Sequence, residues 1–291
     1  MIQQGNFLLM ERDEFREWLK KQVVTRPIQF LQVHHTASPN YSTRKMVNGV
    51  AQQDAFKCLE GMRNYHLSEG WAATGQNITT LENGQIAISL DRPLNRIPAG
   101  IRGFNNKCIC IENVGNFDSG GDIITDEQKK TIIHLYACLA EKFNLPIDID
   151  HIVFHAWFTR TGERLNDFIP DKSSKTCPGT AFWGDGNTIA AAMKNFLPQI
   201  QAELDRLNGK IKNNISEDDQ QPMTSQEKAD FQALQDQVKE LTAKLQMDSI
   251  PDWAMEACVA AKNAGAVDTT SGGSYDFYRL ITVLYRKGFF K

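Results

Sequence analysis

At 291 residues, with 41% apolar and 23% charged residues, the chain has the makeup of an ordinary soluble globular protein, long enough for one large domain and a small one. A net charge of -3 and a pI near 6.1 exclude a global basic field suited to nucleic acid or an anionic membrane. No apolar run approaches the roughly 18 residues that span a bilayer. Met1 to Gln22 carries Glu11, Asp13, Glu14 and Glu17 where a signal peptide would need an apolar core, so the expectation is a protein made and kept in the cytoplasm.

In chain order, Glu11 to Leu19 reads as a short helix and Gln29 to Val33 as a strand ending at His34. A loop follows, and Ser42 is the expected N-cap of a helix through Arg63. Gly75 to Thr80, the turn Glu82-Asn83-Gly84, and Gln85 to Leu90 form a hairpin signal. Cys108 to Val114 is another strand. Thr125 with Gln128 resembles a capping box for a helix to Phe143, with Ile132, Ile133, Leu135, Tyr136 and Leu139 at helical spacing. Ile152-Val153-Phe154 is a short apolar run that delivers His155. A polar loop runs from Trp157 to Lys175, and Ile189 to Leu207 reads as helix.

From Asn208 to Gln226 the composition turns polar, as in a linker. Phe231, Leu234, Val238, Leu241 and Leu245 then mark a short heptad seam, either a coiled coil or a helix packed on a neighbour. Residues 249–291 predict a separate module of two helices around a Gly272-Gly273 turn. The fold class expected is α/β, a mixed central sheet of about five strands flanked by helices, plus a small all-α C-terminal module. Its parts are residues 1–207, a linker and amphipathic helix over 208–248, and the module at 249–291.

Three distant residues suit one zinc ion: His34, His155 and Cys177, the last within Lys175-Thr176-Cys177-Pro178-Gly179. Zinc accepts imidazole and thiolate together, and catalytic sites leave a fourth position open. Lys175 beside the thiolate suits negative charge developing in a reaction; alone, it would be a solvated loop residue. His35 follows His34, and on a strand the two point to opposite faces, so geometry by itself does not choose between them. Cys177 alone could equally be a buried thiol in a turn. Glu112 lies in an otherwise apolar strand, where a carboxylate must be paired, metal-linked or working as an acid or base. Its rival reading is an ion pair with Arg102 or Lys107. His66 and His134 read as structural, and His151 as a surface residue. The six cysteines do not suggest disulfides: Cys108 and Cys110 read as buried thiols, and Cys58, Cys138 and Cys258 as core filler.

Val33-His34-His35-Thr36-Ala37, Ile109 to Gly115, Val153-Phe154-His155 and Lys175 to Gly179 together resemble the zinc N-acetylmuramoyl-L-alanine amidases of type 2. That family includes phage endolysins and is related to peptidoglycan recognition proteins. The resemblance runs from about residue 28 to residue 200. It implies a mixed sheet with Zn2+ in a surface groove, and hydrolysis of the amide between N-acetylmuramic acid and the L-alanine of the stem peptide. It implies His34, His155 and Cys177 as ligands, Lys175 as oxyanion stabiliser and Glu112 as base. It departs at Gly75-Gln76-Asn77, where several members carry a catalytic Tyr. Trp157, Phe158, Arg160 and Phe168 could wall a groove or merely cover the core.

The C-terminal module, through Pro251-Asp252-Trp253-Ala254 and Tyr278-Arg279-Leu280-Ile281, is similar to small helical repeats of Gram-positive wall hydrolases. It suggests wall targeting or self-association. The partner expected is bacterial peptidoglycan, with no nucleic acid or membrane insertion, and a homodimer through residues 228–245 or the module is an option. The role implied is that of a phage or prophage endolysin held in the host cytoplasm and released by a holin. The alternatives are a host autolysin or spore-wall amidase, and a non-catalytic peptidoglycan-binding protein; binding-only relatives commonly lack the Cys ligand.

Overall fold

A computed structural model describes residues 1–210, 225–245 and 247–290, with the backbone alone described at 225–231, 234 and 238. The chain divides into two compact units, Met1–Asn213 and Asn214–Lys291.

The first unit opens with β1 (Ile2–Gln4) and β2 (Phe7–Met10), then α1 (Arg12–Lys20) and β3 (Phe30–His35). A two-stranded ribbon follows, β4 (Met46–Val47) with β5 (Val50–Ala51), then α2 (Ala55–Ser68), β6 (Ile78–Thr80), β7 (Ile86–Ser89) and β8 (Cys108–Asn113). Next come α3 (Asp126–Phe143), β9 (Ile152–Phe154) and α4 (Ile189–Ala191), which continues through a π-helical turn into α5 (Leu197–Leu207). The main sheet has seven strands in the order β1-β2-β7-β6-β8-β3-β9. β8 and β9 run parallel to β3, and β6 parallel to β8, while the β1, β2 and β7 edge is antiparallel.

The sheet is thus mixed and flanked by helices, as expected, but has seven strands rather than about five. β1 and β2 escaped because each is very short and β1 is exposed on both faces. The helix expected from Ser42 is also corrected. Left-handed backbone at Lys45, Asn48 and Gly49 builds the β4–β5 ribbon first, and the helix starts after Asp54, whose side chain accepts from Lys57 N–H at 2.9 Å. Thr125 does cap α3, accepting from Gln128 N–H at 3.2 Å. The Gln128 side chain instead reaches across to the Val114 carbonyl at 3.0 Å, tying the helix to the sheet.

Alternation along β3 and β8 separates two faces. Leu31, Val33, Ile109 and Ile111 join Phe15, Leu19, Ile132, Leu135, Leu139 and Ile200 in the main core, under α1, α3 and α5. On the opposite face α2 packs Phe56, Leu59 and Met62 against Phe7, Leu9 and Ala87 near the β2–β7 edge. β3 and β8 carry Gln32, His34, His35, Glu112 and Asn113, and α2 borders the groove into which His34 and Glu112 open.

In the second unit α6 (Ser225–Leu245) is followed by α7 (Met255–Asn263) and α8 (Tyr275–Arg286). A core of Ala254, Ala257, Cys258, Ala261, Tyr278 and Ile281 joins α7 to α8. Tyr278 is fully buried and donates to the Thr270 carbonyl at 2.8 Å, whereas Trp253 and Tyr275 remain exposed. Of the heptad seam, Leu241 and Leu245 are exposed, while the side chains of Phe231, Leu234 and Val238 lie outside the described residues, as does 211–224 of the expected linker.

Candidate metal centre and groove

β3 sends its two histidines to opposite sides. His34 faces the same way as Glu112, its register partner on β8, and Thr79 on β6 continues the row. His35 turns to the other side, where its Nδ1 accepts the Phe117 N–H at 3.0 Å. His155 begins a 3-10 turn just past β9, one position beyond the Val33–Phe154 pair, and so arrives beside His34.

Cys177 comes from a turn clamped to the segment after β8. Asp118 accepts from Thr176 Oγ1 at 3.0 Å and from Thr180 N–H at 2.9 Å, and Asn187 donates to the Thr176 carbonyl at 2.6 Å. Gly179 has φ +125°, and a Cβ there would overlap the Phe117 carbonyl, so the string ends in glycine for a steric reason.

The outcome is a buried trio whose donor atoms, His34 Nδ1, His155 Nδ1 and Cys177 Sγ, lie within 4.8 Å of one another and can hold a metal ion. The two nitrogens are 3.2 Å apart, and Cys177 Sγ is 3.5 Å from His34 Nδ1. Tetrahedral zinc, with Zn–N of ~2.0–2.1 Å and Zn–S of ~2.3 Å, sets those spacings at ~3.3 and ~3.6 Å. The donor set fits the ion. Burial, with Lys175 and His35 adding repulsion, holds His155 at about 3, and burial brings His35 to about 4. Burial, followed by the charges of His155 and Lys175, also keeps His34 well below the usual imidazole range. All three rings are therefore neutral at pH 7, the form that ligates. Burial and Glu112 push the Cys177 thiol up, opposed by the His35 N–H at 3.3 Å and by Lys175.

Glu112 is at the mouth of this cluster, Oε1 4.0 Å from His34 Nδ1. Its Oε2 is buried with no hydrogen-bond partner, and no ion pair joins it to Arg102 or Lys107 among the described residues. Burial pushes its carboxyl up to about 8, against the pull of Lys175. A divalent cation in the cluster would bring it back down by the same Coulombic rule. Lys175 is exposed and lines the same groove.

The groove encloses about 1090 Å³. His34, Glu112, His155 and Lys175 meet in it, with Lys57, Arg102 and Arg160 adding positive charge and Tyr65, His66 and Trp71 forming an aromatic rim. Trp71 stacks on His66 at 4.7 Å with the rings nearly parallel, and His66 Nδ1 accepts the Gly75 N–H at 3.1 Å. His66 is thus a groove residue rather than a purely structural one. Trp157 and Phe158 are fully buried and Phe168 packs on the core, so of the four loop residues only Arg160 lines the groove. Gln76 is buried and donates to Thr79 Oγ1 at 2.9 Å, away from the groove lining. His134, between Glu203 at 2.7 Å and Cys138 at 3.4 Å, is structural, and His151 pairs with Asp148 near the surface. Gln32, Gly100, Asn105 and Asp118, which support His34 and the Cys177 turn, belong to no sequence motif: their roles depend on contacts across long stretches of chain.

The site is thus a His-His-Cys cluster that could hold a metal ion, set in a cleft of a mixed sheet whose other face is closed by helices. The family model for N-acetylmuramoyl-L-alanine amidase, Amidase_2, matches residues 24–180, and the chain belongs to that family of amidases. Among solved structures it is similar to the amidase endolysin LysCS of Clostridium intestinale URNW at 21% identity, over 53% of this chain and 76% of that one, with a TM-score of 0.37. The Ph2119 endolysin of Thermus scotoductus MAT2119 bacteriophage Ph2119 matches at 21% identity over 62% of this chain and 94% of that one, TM-score 0.37. Drosophila PGRP-LB matches at 18% identity over 58% and 88%, TM-score 0.41. No curated protein sequence matches the chain.

Proposed function

We propose that the chain is a zinc-dependent N-acetylmuramoyl-L-alanine amidase whose ligands are His34, His155 and Cys177. The observation that carries this reading is the spacing of those donors beside the unpartnered Glu112 oxygen, in a groove large enough for a glycopeptide. When bound, zinc would supply Lewis acidity, polarising the scissile carbonyl and acidifying water. Glu112 takes the proton of the attacking water and returns it to the alanine nitrogen as the C–N bond breaks, leaving a lactyl carboxylate and a free α-amine. Lys175, reaching in from the rim, steadies the negative charge on the carbonyl oxygen of the tetrahedral intermediate. The His35 N–H holds Cys177 Sγ on the ligand side of its turn.

We read its biological role as that of a phage or prophage endolysin acting on Gram-positive wall. Support comes from the two-unit build, an amidase unit followed by a small helical unit with Trp253 and Tyr275 exposed for wall contact or self-association. A host autolysin or spore-wall amidase is the alternative. Expression with and without a membrane-permeabilising protein separates them: lysis only when both are present is the endolysin outcome.

The test of the chemistry is digestion of purified wall by wild type and Cys177→Ser. New N-terminal alanine from wild type, abolished by chelator, restored by zinc and missing with the variant, is the expected result. Reducing sugar ends instead would mark a glycosidase. Equal alanine release by the variant would remove Cys177 from the site, and wall binding without any new ends would mark a binding protein. A wall pull-down with the chain ended near Gly209 tests the second unit; unchanged binding rejects a targeting role.

A further inference from the structure

Gln32 is fully buried two residues before His34, on the same face of β3, and no motif includes it. Its Oε1 lies 3.1 Å from His34 Nε2. Which atom donates is decided by neighbours that have no choice. The same Oε1 accepts the Ile101 backbone N–H at 3.3 Å, and a backbone N–H can only donate. The amide nitrogen, on the other side, faces the Phe104 carbonyl at 3.4 Å and Asn105 Oδ1 at 3.2 Å. Asn105 Oδ1 is fixed in turn by the Gly100 N–H at 3.0 Å. A flipped Gln32 amide would set donor against donor at Ile101 and acceptor against acceptor at Phe104. The oxygen therefore faces His34, and His34 Nε2 must carry the proton.

A neutral imidazole has one N–H. With it on Nε2, the lone pair is on Nδ1, the same nitrogen that meets His155 and Cys177. We infer that Gln32 is a positioning residue that locks His34 in its Nε2–H tautomer and aims Nδ1 at the metal. The inference rests on the proposed ligand role of His34. Outer partners of this kind orient the ring and raise its basicity, and losing one weakens metal binding ~10–100-fold. Gly100 belongs to the same device: a Cβ there would overlap Gln32 Oε1 and crowd Cys110 Sγ, so a glycine lets the loop approach the amide.

The test uses the full-length protein in two measurements. Zinc affinity is read by competition with a chromophoric chelator. The imidazole of His34 is read in the metal-free protein by long-range 15N–1H NMR. Wild type is expected to show a protonated Nε2 and a bare Nδ1. Gln32→Leu should bind zinc ~10–100-fold more weakly and lose that single tautomer, while Gln32→Glu, which keeps an oxygen facing the ring, should recover most of the affinity. Should Gln32→Leu fail to fold, Gly100→Ala displaces the same oxygen and should weaken zinc and disturb His34 alike. The inference is overturned if wild-type His34 carries its proton on Nδ1, or if the folded variants bind zinc as wild type does. Cys177→Ser, run alongside, separates the two readings: normal zinc binding by that variant would sink the ligand assignment, whereas its loss with an unaffected Gln32→Leu sinks only the role of Gln32.

Discussion

Strands β3 and β8 present Leu31, Val33, Ile109 and Ile111 to the helices, and Gln32, His34, Cys110 and Glu112 to the opposite face, where His34 and Glu112 line the groove. One set is apolar and packed, and its burial stabilises the fold at roughly 25 cal/mol per Å² removed from water. The other set is polar, with Gln32, His34 and Cys110 buried, Glu112 half-buried with one carboxylate oxygen unpartnered, and the His34 ring pushed toward neutrality by burial. Such burial costs stability unless a ligand or metal completes it. Residues one apart in the same strand therefore answer to different pressures, and exchanging them would damage the protein in different ways.

The largest effect falls on the groove face. Glu112→Gln should cut kcat by ~10²–10⁴-fold while zinc content and fold stay intact, because proton transfer is lost and shape is not. An active variant with zinc bound would reassign the base. On the helix face Ile111→Ala, one position away, should cost ~2–5 kcal/mol in denaturant unfolding. Its activity per folded molecule should be unchanged; a fall in kcat at full folding would mean that the faces are coupled.

The smallest effect sharpens what secures the helix layer. Burial would raise the Glu203 carboxyl, but the hydrogen bonds from Arg206 and His134 overcome it and hold the group at about 2. A carboxyl held below its ordinary value of 4.5 stabilises the fold above that pH and loses the contribution as pH falls toward about 2. Glu203→Gln should cost ~1–2 kcal/mol near neutrality, allowing for solvent screening. Unfolding at stepped pH should show the gap to wild type closing through that acid range; a gap that persists there would assign the loss to packing.

The same contrasts decide which features are legible in the sequence. The ligand trio and Glu112 stood out because polar residues in apolar strands, and a Lys-Thr-Cys-Pro-Gly string, are local signals. The fate of His35 was not local: it depends on the Phe117 N–H, 82 residues away. Nor was His66, which reads as a helix residue until Trp71 folds back onto it. The β4–β5 ribbon is hidden in the sequence because Ser42 is a good cap residue, whereas the left-handed positions that follow carry no equally strong signal. β1 and β2 were missed because strands of three and four residues carry too little periodicity to register.

The trio is assembled across great lengths of chain, His34 meeting His155 over 121 residues and Cys177 over 143. Closing such loops is slow and must precede any reward from the contacts they bring. On the ribosome, a nascent chain holds His34 early but lacks Cys177 until more than half of the protein has been made. No truncated translation product ending before that point carries the full donor set, so the candidate metal centre arises only after the amidase unit has been synthesised as far as Cys177.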